Sequence, residues 1–226
     1  MIRTPLAATG IAVFLSACQS TSSQDTAVRV FNQLAFLGTP GGHPVSTWVM
    51  LESDYENHKI YRWEKQIYAY VGDANGDHQV ATARRILKEV GSIAGREITF
   101  AGANLANFKY TFVDTANLII NGSEFSACAA HVERNETDGI KSVEISVAMR
   151  SEIPLEKCLY HETLHGFGLA HTSLVPSILN YASRTETLTY WDTLILKTMY
   201  GSDIRTGMNR AQSLPKIRRT ILANRG

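Results

Sequence analysis

The sequence predicts an α+β fold, and three observations predict it. Alternating apolar and polar residues mark short strands at Lys59–Val71, Glu97–Ala101, Asn117–Ile120 and Lys141–Met149. Val80, Ala83, Ile86, Leu87 and Val90 recur at helical spacing between the first two. Further helical patterns follow Pro154 and Thr189. The order is strand, helix, three strands, helix, with more helix towards the C-terminus.

The chain has 226 residues, a formal net charge of +1 and 44% hydrophobic residues, the composition of an ordinary globular protein. That length suits one domain, or a domain of two lobes around a cleft. No charge excess points to a nucleic-acid partner, no internal repeat is visible, and a monomer is expected.

The elements follow in order. Arg3 and the apolar run Ile11–Leu15 form an export signal too short to span a membrane. It ends in Leu15-Ser16-Ala17-Cys18, which resembles the bacterial lipoprotein cleavage box. The resemblance implies removal of residues 1–17 and acylation of Cys18, with several acyl chains giving a stable membrane anchor. An ordinary cleaved signal with an incidental Cys18 is the other reading. Gln19 is not the aspartate of inner-membrane retention, so the expected address is the cell envelope, at the periplasmic face of the outer membrane. Residues 18–27 are Ser/Thr-rich and read as a flexible tether, with the globular domain over 28–226.

Ala27–Leu37 is a candidate short helix, broken by Gly38-Thr39-Pro40-Gly41-Gly42. Asp73-x-Asn75-x-Asp77 has the spacing of a calcium loop, but it lacks the glycine at the sixth position, and Arg84 stands at the twelfth. A loop that caps the next helix is preferred, with calcium as the alternative. That helix runs over His78–Gly91, with Gly91 as its stop. Ser123–Gly139, with Cys128 and His131, can form an edge strand that pairs with an extended peptide. His131 itself reads as a surface histidine.

Pro154 suits a first helical turn because its missing N–H is one that the turn leaves unpaired. On the helix that follows, His161 and His165 are four residues apart and project from one face. That spacing brings two ring nitrogens to one zinc ion. Glu162 lies about 100° round the helix, close enough to take a proton from water at the metal. Gly168 can end the helix in the left-handed conformation, and His171 can then return as a third ligand. Three histidines leave a position open for water, as catalytic zinc sites do. With 7 His and 16 Gly in the chain, the full pattern arises by chance with a probability on the order of 10⁻⁵.

His161-Glu162-x-x-His165-x-x-Gly168-x-x-His171 resembles the long zinc signature of the metzincin metallopeptidases. The resemblance implies a twisted mixed sheet with an active-site helix and a smaller helical C-terminal lobe. The upper lobe would cover about 28–168 and the lower about 169–226. It also implies a turn beneath the metal. Ser177-Ile178-Leu179-Asn180-Tyr181 resembles the Ser-x-Met-x-Tyr form of that turn, with Leu179 in place of methionine. Leucine is apolar and close in volume, so it can keep the packing role. Tyr181 matches a tyrosine that, in some of these families, ligates zinc or steadies the tetrahedral intermediate; an ordinary buried tyrosine is the alternative.

The lower half also resembles a group of uncharacterised bacterial exported proteins that share a domain of unknown function and look metzincin-like. Cys158, the zinc helix, Leu188-Thr189 with Asp192, Tyr200–Ile204 and Gly207-Met208 carry this resemblance. It extends weakly up to Tyr61.

With Cys18 lipidated, Cys128 and Cys158 remain as a pair in an oxidising compartment. A Cys128–Cys158 disulfide is favoured over free thiols or Cys158 as a metal ligand, because the histidines already complete the site. Thr189 with Asp192 reads as a helix cap, with Trp191, Leu194, Ile195, Thr198 and Met199 along an apolar face. Residues 204–226 hold six basic residues and no acidic one. They read as a solvated terminal helix, or as a contact for anionic envelope polymer or lipid.

The expectation is a lipid-anchored metalloendopeptidase that uses Zn2+ to hydrolyse peptide or protein substrates. His161, His165 and His171 hold the metal, Glu162 is the general base, and Tyr181 assists. The alternatives are a non-catalytic, zinc-holding envelope lipoprotein that binds or scaffolds, and hydrolysis of a peptidoglycan amide.

Overall fold

Three consecutive buried residues, Tyr61, Arg62 and Trp63, decide how the chain enters its sheet. A strand sends alternate side chains to opposite faces, so it cannot bury three in a row on one side. The expected single strand Lys59–Val71 is therefore two, β2 (Lys59–Ile60) and β3 (Ile67–Val71). Between them Arg62 turns inward and donates to the carbonyls of Met199 (3.0 Å) and Gly201 (3.1 Å). The computed structural model describes residues 25–37, 58–72, 76–120 and 124–223. The expected export signal, Cys18, the expected break at 38–42 and the start of the loop read as a helix cap, with calcium as the alternative, lie outside them.

The other strands are β1 (Phe36–Leu37), β4 (Ile98–Phe100), β5 (Phe108–Val113), β6 (Leu118–Ile120), β7 (Glu124–Ser126), β8 (Cys128–Asn135) and β9 (Gly139–Ala148). The helices are α1 (residues 25–35), α2 (Asp77–Ile93), α3 (Leu155–Gly166), α4 (Tyr190–Met199) and α5 (Arg210–Ala223). The main sheet has the order β4-β3-β5-β9-β8. Pairs β3–β4, β3–β5 and β5–β9 are parallel, and β8 joins β9 antiparallel at the edge. The fold is thus a mixed α/β arrangement with a mostly parallel sheet.

The central strand, β5, is absent from the sequence reading. Its alternation is nevertheless plain, since Phe108, Tyr110 and Phe112 point into the core while Thr111 and Val113 are exposed. Helix α2 packs on β3 and β4, α3 packs on β8 and β9, and the two helices touch. Gly91 does not end α2, which continues to Ile93. It is needed instead for close packing, because a Cβ there would stand 2.8 Å from Ile98 Cγ1. The cap of α2 is Gly76, with no side-chain hydrogen bond, and Asp77 in the first turn complements the helix dipole.

Residues 25–27, expected as the end of the tether, are already helical, and Ala27 is fully buried. One core runs from Ala27, Phe31 and Leu34 through the sheet to Ile217 and Ile221 of α5. The Thr189–Asp192 capping box forms as expected. The C-terminal segment turns back onto β2, where Ile60 N–H donates to Met208 O (3.0 Å) and Gly207 N–H to Ile60 O (2.9 Å).

Candidate metal centre

Pro154 is the N-cap of α3, one residue before the first turn in which it was expected, and its carbonyl takes the first helical hydrogen bond from Cys158 N–H (3.1 Å). Its sheet side is fastened at Thr163 and Gly166. The Thr163 hydroxyl lies 2.7 Å from that of Tyr110, and the Gly166 carbonyl accepts from Trp63 Nε1–H (2.8 Å). A Cβ at residue 166 would meet the Phe108 ring at 2.8 Å. By helical periodicity His161 and His165 fall on the side opposite Thr163.

The helix then closes in a Schellman turn. Gly168 N–H donates to His165 O (2.9 Å) and Leu169 N–H to Leu164 O (3.1 Å), with Gly168 at φ +92°. This turn sends the chain back so that His171 reaches the other two histidines.

The Nε2 atoms of His161, His165 and His171 form a triangle with every edge 3.1 Å. Nitrogens at about 2.0–2.1 Å round one tetrahedral metal ion stand about 3.3 Å apart, so the triangle matches three corners of such a site. His161 Nδ1–H donates to the Ile178 carbonyl (2.9 Å) and His165 Nδ1–H to the Leu169 carbonyl (2.7 Å). With those protons on Nδ1, both Nε2 atoms present bare lone pairs. No proton is available for the edge between them, and a cation satisfies both. Among the described residues, this trio is the group of His, Cys, Asp or Glu able to hold an ion.

Burial pushes the His171 imidazole pKa down to about 3, aided by His161. It drives His165 well below the usual range, aided by both neighbours, and lowers His161 too. The trio is therefore neutral, the form that ligates metal.

Glu162 is 6% exposed, and burial pushes its carboxyl up to about 8, against the backbone N–H of Ala130, which lowers it. Edge strand β8 thus touches this carboxyl directly. Tyr181 is 63% exposed and is not the ordinary buried tyrosine. Its ring centroid lies 4.4 Å from that of His171 and 5.7 Å from that of His161. Partial burial and the Glu162 carboxylate raise its hydroxyl pKa. Leu179 is fully buried in the turn, and its carbonyl accepts from Thr172 N–H (3.2 Å).

The family described as "Protein of unknown function (DUF2927)" matches residues 47–219, most of the chain and all of these site residues. The chain belongs to this family. No curated protein matches it.

Other residues of this DUF2927 chain shape the centre without touching it. Asp192 accepts from Ser177 Oγ–H (2.5 Å), Ile178 N–H (3.2 Å) and Thr189 N–H (2.8 Å). It therefore anchors Ile178, whose carbonyl orients His161, a role that the helix-cap reading alone does not reveal. Cys128 and Cys158 form the favoured disulfide, tying β8 to α3 one turn before His161. His131 lies exposed on β8, as expected of a surface histidine. Gln33 and Leu34 of α1, outside the family match, bond to the His171 loop. Nothing in the sequence pattern links them to it. No helix among the described residues is long and apolar enough to cross a membrane.

Proposed function

We propose that this protein is a metzincin-type zinc metalloendopeptidase of the bacterial cell envelope, anchored through Cys18. The observation that carries the reading is the imidazole triangle with a buried carboxyl, Glu162, one residue along the helix from its first corner. Three neutral histidines suit zinc, which accepts nitrogen donors in tetrahedral sites and leaves one position for a reactant. Zinc held there would polarise a peptide carbonyl and make water acidic enough to attack it near neutral pH.

The chain's own residues do the rest. Glu162 takes the proton of the attacking water and passes it to the departing amine. Its contact with Ala130 N–H holds the carboxyl at one height above the helix. Tyr181, whose exposed ring lies against His171 and His161, would donate to the oxyanion. Strand β8 lies at the edge of the main sheet, where an extended peptide would add alongside it.

The test is hydrolysis of an unstructured protein by zinc-loaded wild type and Glu162→Gln. The variant keeps the three nitrogens, so it should retain zinc while its rate falls at least about 100-fold. A zinc-loaded wild type that cuts nothing favours the zinc-holding scaffold instead, and a variant that cuts at the wild-type rate removes Glu162 from the mechanism.

A further inference from the structure

Two of the three imidazoles are oriented by a carbonyl at Nδ1, and the third is not. His171 Nδ1 is buried and has no hydrogen-bond partner among the described residues. Its ring is therefore aimed by the backbone that carries it and by the Tyr181 ring lying against it. Metal-binding histidines normally gain their orientation from a partner at the second nitrogen, so a site lacking one depends on a rigid loop.

That loop is gripped on both sides of His171 by α1. The Leu34 carbonyl accepts from Ala170 N–H (2.6 Å). Gln33 Oε1 accepts from Thr172 Oγ1–H (2.6 Å) and from Ser173 N–H (3.2 Å). The grip is firm because α1 is itself seated: Ala27, Val30, Phe31 and Leu34 form a fully buried stripe, and β1 pairs with β2 just beyond. We infer that Gln33 is a positioning residue for the third metal donor, and that α1 is a clasp on the loop bearing His171. The inference rests on the reading of the triad as a metal centre.

One amide oxygen satisfies two donors on consecutive residues. Without it the Thr172 hydroxyl and Ser173 N–H turn to water, and the loop gains conformations that the ion must remove on binding. Metal affinity then falls although all three ligands remain. Gln33→Ala removes the acceptor. Gln33→Glu keeps an oxygen at the same reach and restores both bonds.

The experiment is a zinc titration of purified wild type, Gln33→Ala and Gln33→Glu against a chelating indicator. The visible spectrum of each cobalt(II)-loaded protein and the melting temperature of each in chelator are recorded alongside. Expected are zinc affinity about 10–100-fold weaker in Gln33→Ala, an altered cobalt band, near-wild-type melting without metal, and recovery in Gln33→Glu. Affinity and cobalt band unchanged in Gln33→Ala overturn the inference while the metal centre stands. Affinity lost only together with the metal-free fold, in both variants, reduces Gln33 to a structural role and overturns it too. Wild type that takes up no ion overturns the metal centre itself, and this inference with it.

Discussion

Gly168 meets two demands that a residue with a side chain does not. It holds φ at +92°, where a Cβ is strained, and that Cβ would stand 2.1 Å from the Tyr61 carbonyl oxygen. Gly168→Ala should therefore destabilise the protein by roughly 2–4 kcal/mol, read as a shift in urea midpoint, and weaken zinc binding because the chain no longer turns back at the same angle. Glu162 gives a prediction of a different kind. An unfolded glutamate titrates near 4.5, whereas burial places this one at about 8 in the metal-free fold. The folded chain then holds an extra proton between those values, so its stability falls as pH rises from about 4.5 to 8. In chelator, Glu162→Gln should lose this slope, gaining a few kcal/mol over wild type at pH 8 and little at pH 4.5. Urea midpoints across that range measure it, and parallel curves for the two proteins would contradict it. At this scale the sequence is a good guide: the spacing of His161, Glu162, His165, Gly168 and His171 fixes their directions on a helix and its closing turn. It is a poor guide to Gln33, because a hydrogen bond across 139 positions leaves no periodic trace.

The elements around the centre hold its donors at one remove. The α4 capping box reaches back through Asp192 to Ile178, and so to His161. Asp192→Ala leaves several buried donors unpaired, which should cost roughly 2–4 kcal/mol and reduce zinc affinity about 10–100-fold. Denaturant unfolding and competition with a chelator measure the two effects separately. The Cys128–Cys158 disulfide closes a 30-residue separation between β8 and α3. Reduction should lower stability by about 3–4 kcal/mol on loop entropy and loosen the edge strand from Glu162. Unfolding with and without dithiothreitol reads this directly. The α4 capping box and the disulfide pairing were legible in the sequence because capping is local and three cysteines offer few pairings. The break in Lys59–Val71 was not. It depends on Arg62 being drawn inward by carbonyls of Met199 and Gly201, far along the chain.

Across the whole molecule, one core joins α1, the sheet and the C-terminal helices. This is why residues near the start and end of the domain bear on a site in its middle. A mixed sheet was implied by the metzincin resemblance, and an edge strand was read within Ser123–Gly139, where β8 lies. The strand order was not legible, since β5 and its parallel neighbours depend on which strands meet rather than on what each one looks like. A terminal helix was also expected. It buries Ser213, Ile217 and Ile221 and leaves Arg218 and Arg219 exposed, with Arg219 3.5 Å from Asp203. The claim on which the functional account stands is that three imidazoles share a single ion. Elemental analysis of the purified, disulfide-bonded protein tests it most directly: near one zinc per chain in wild type and close to none in His165→Ala is the predicted result, whereas wild type that stays metal-free after incubation with zinc would contradict the account.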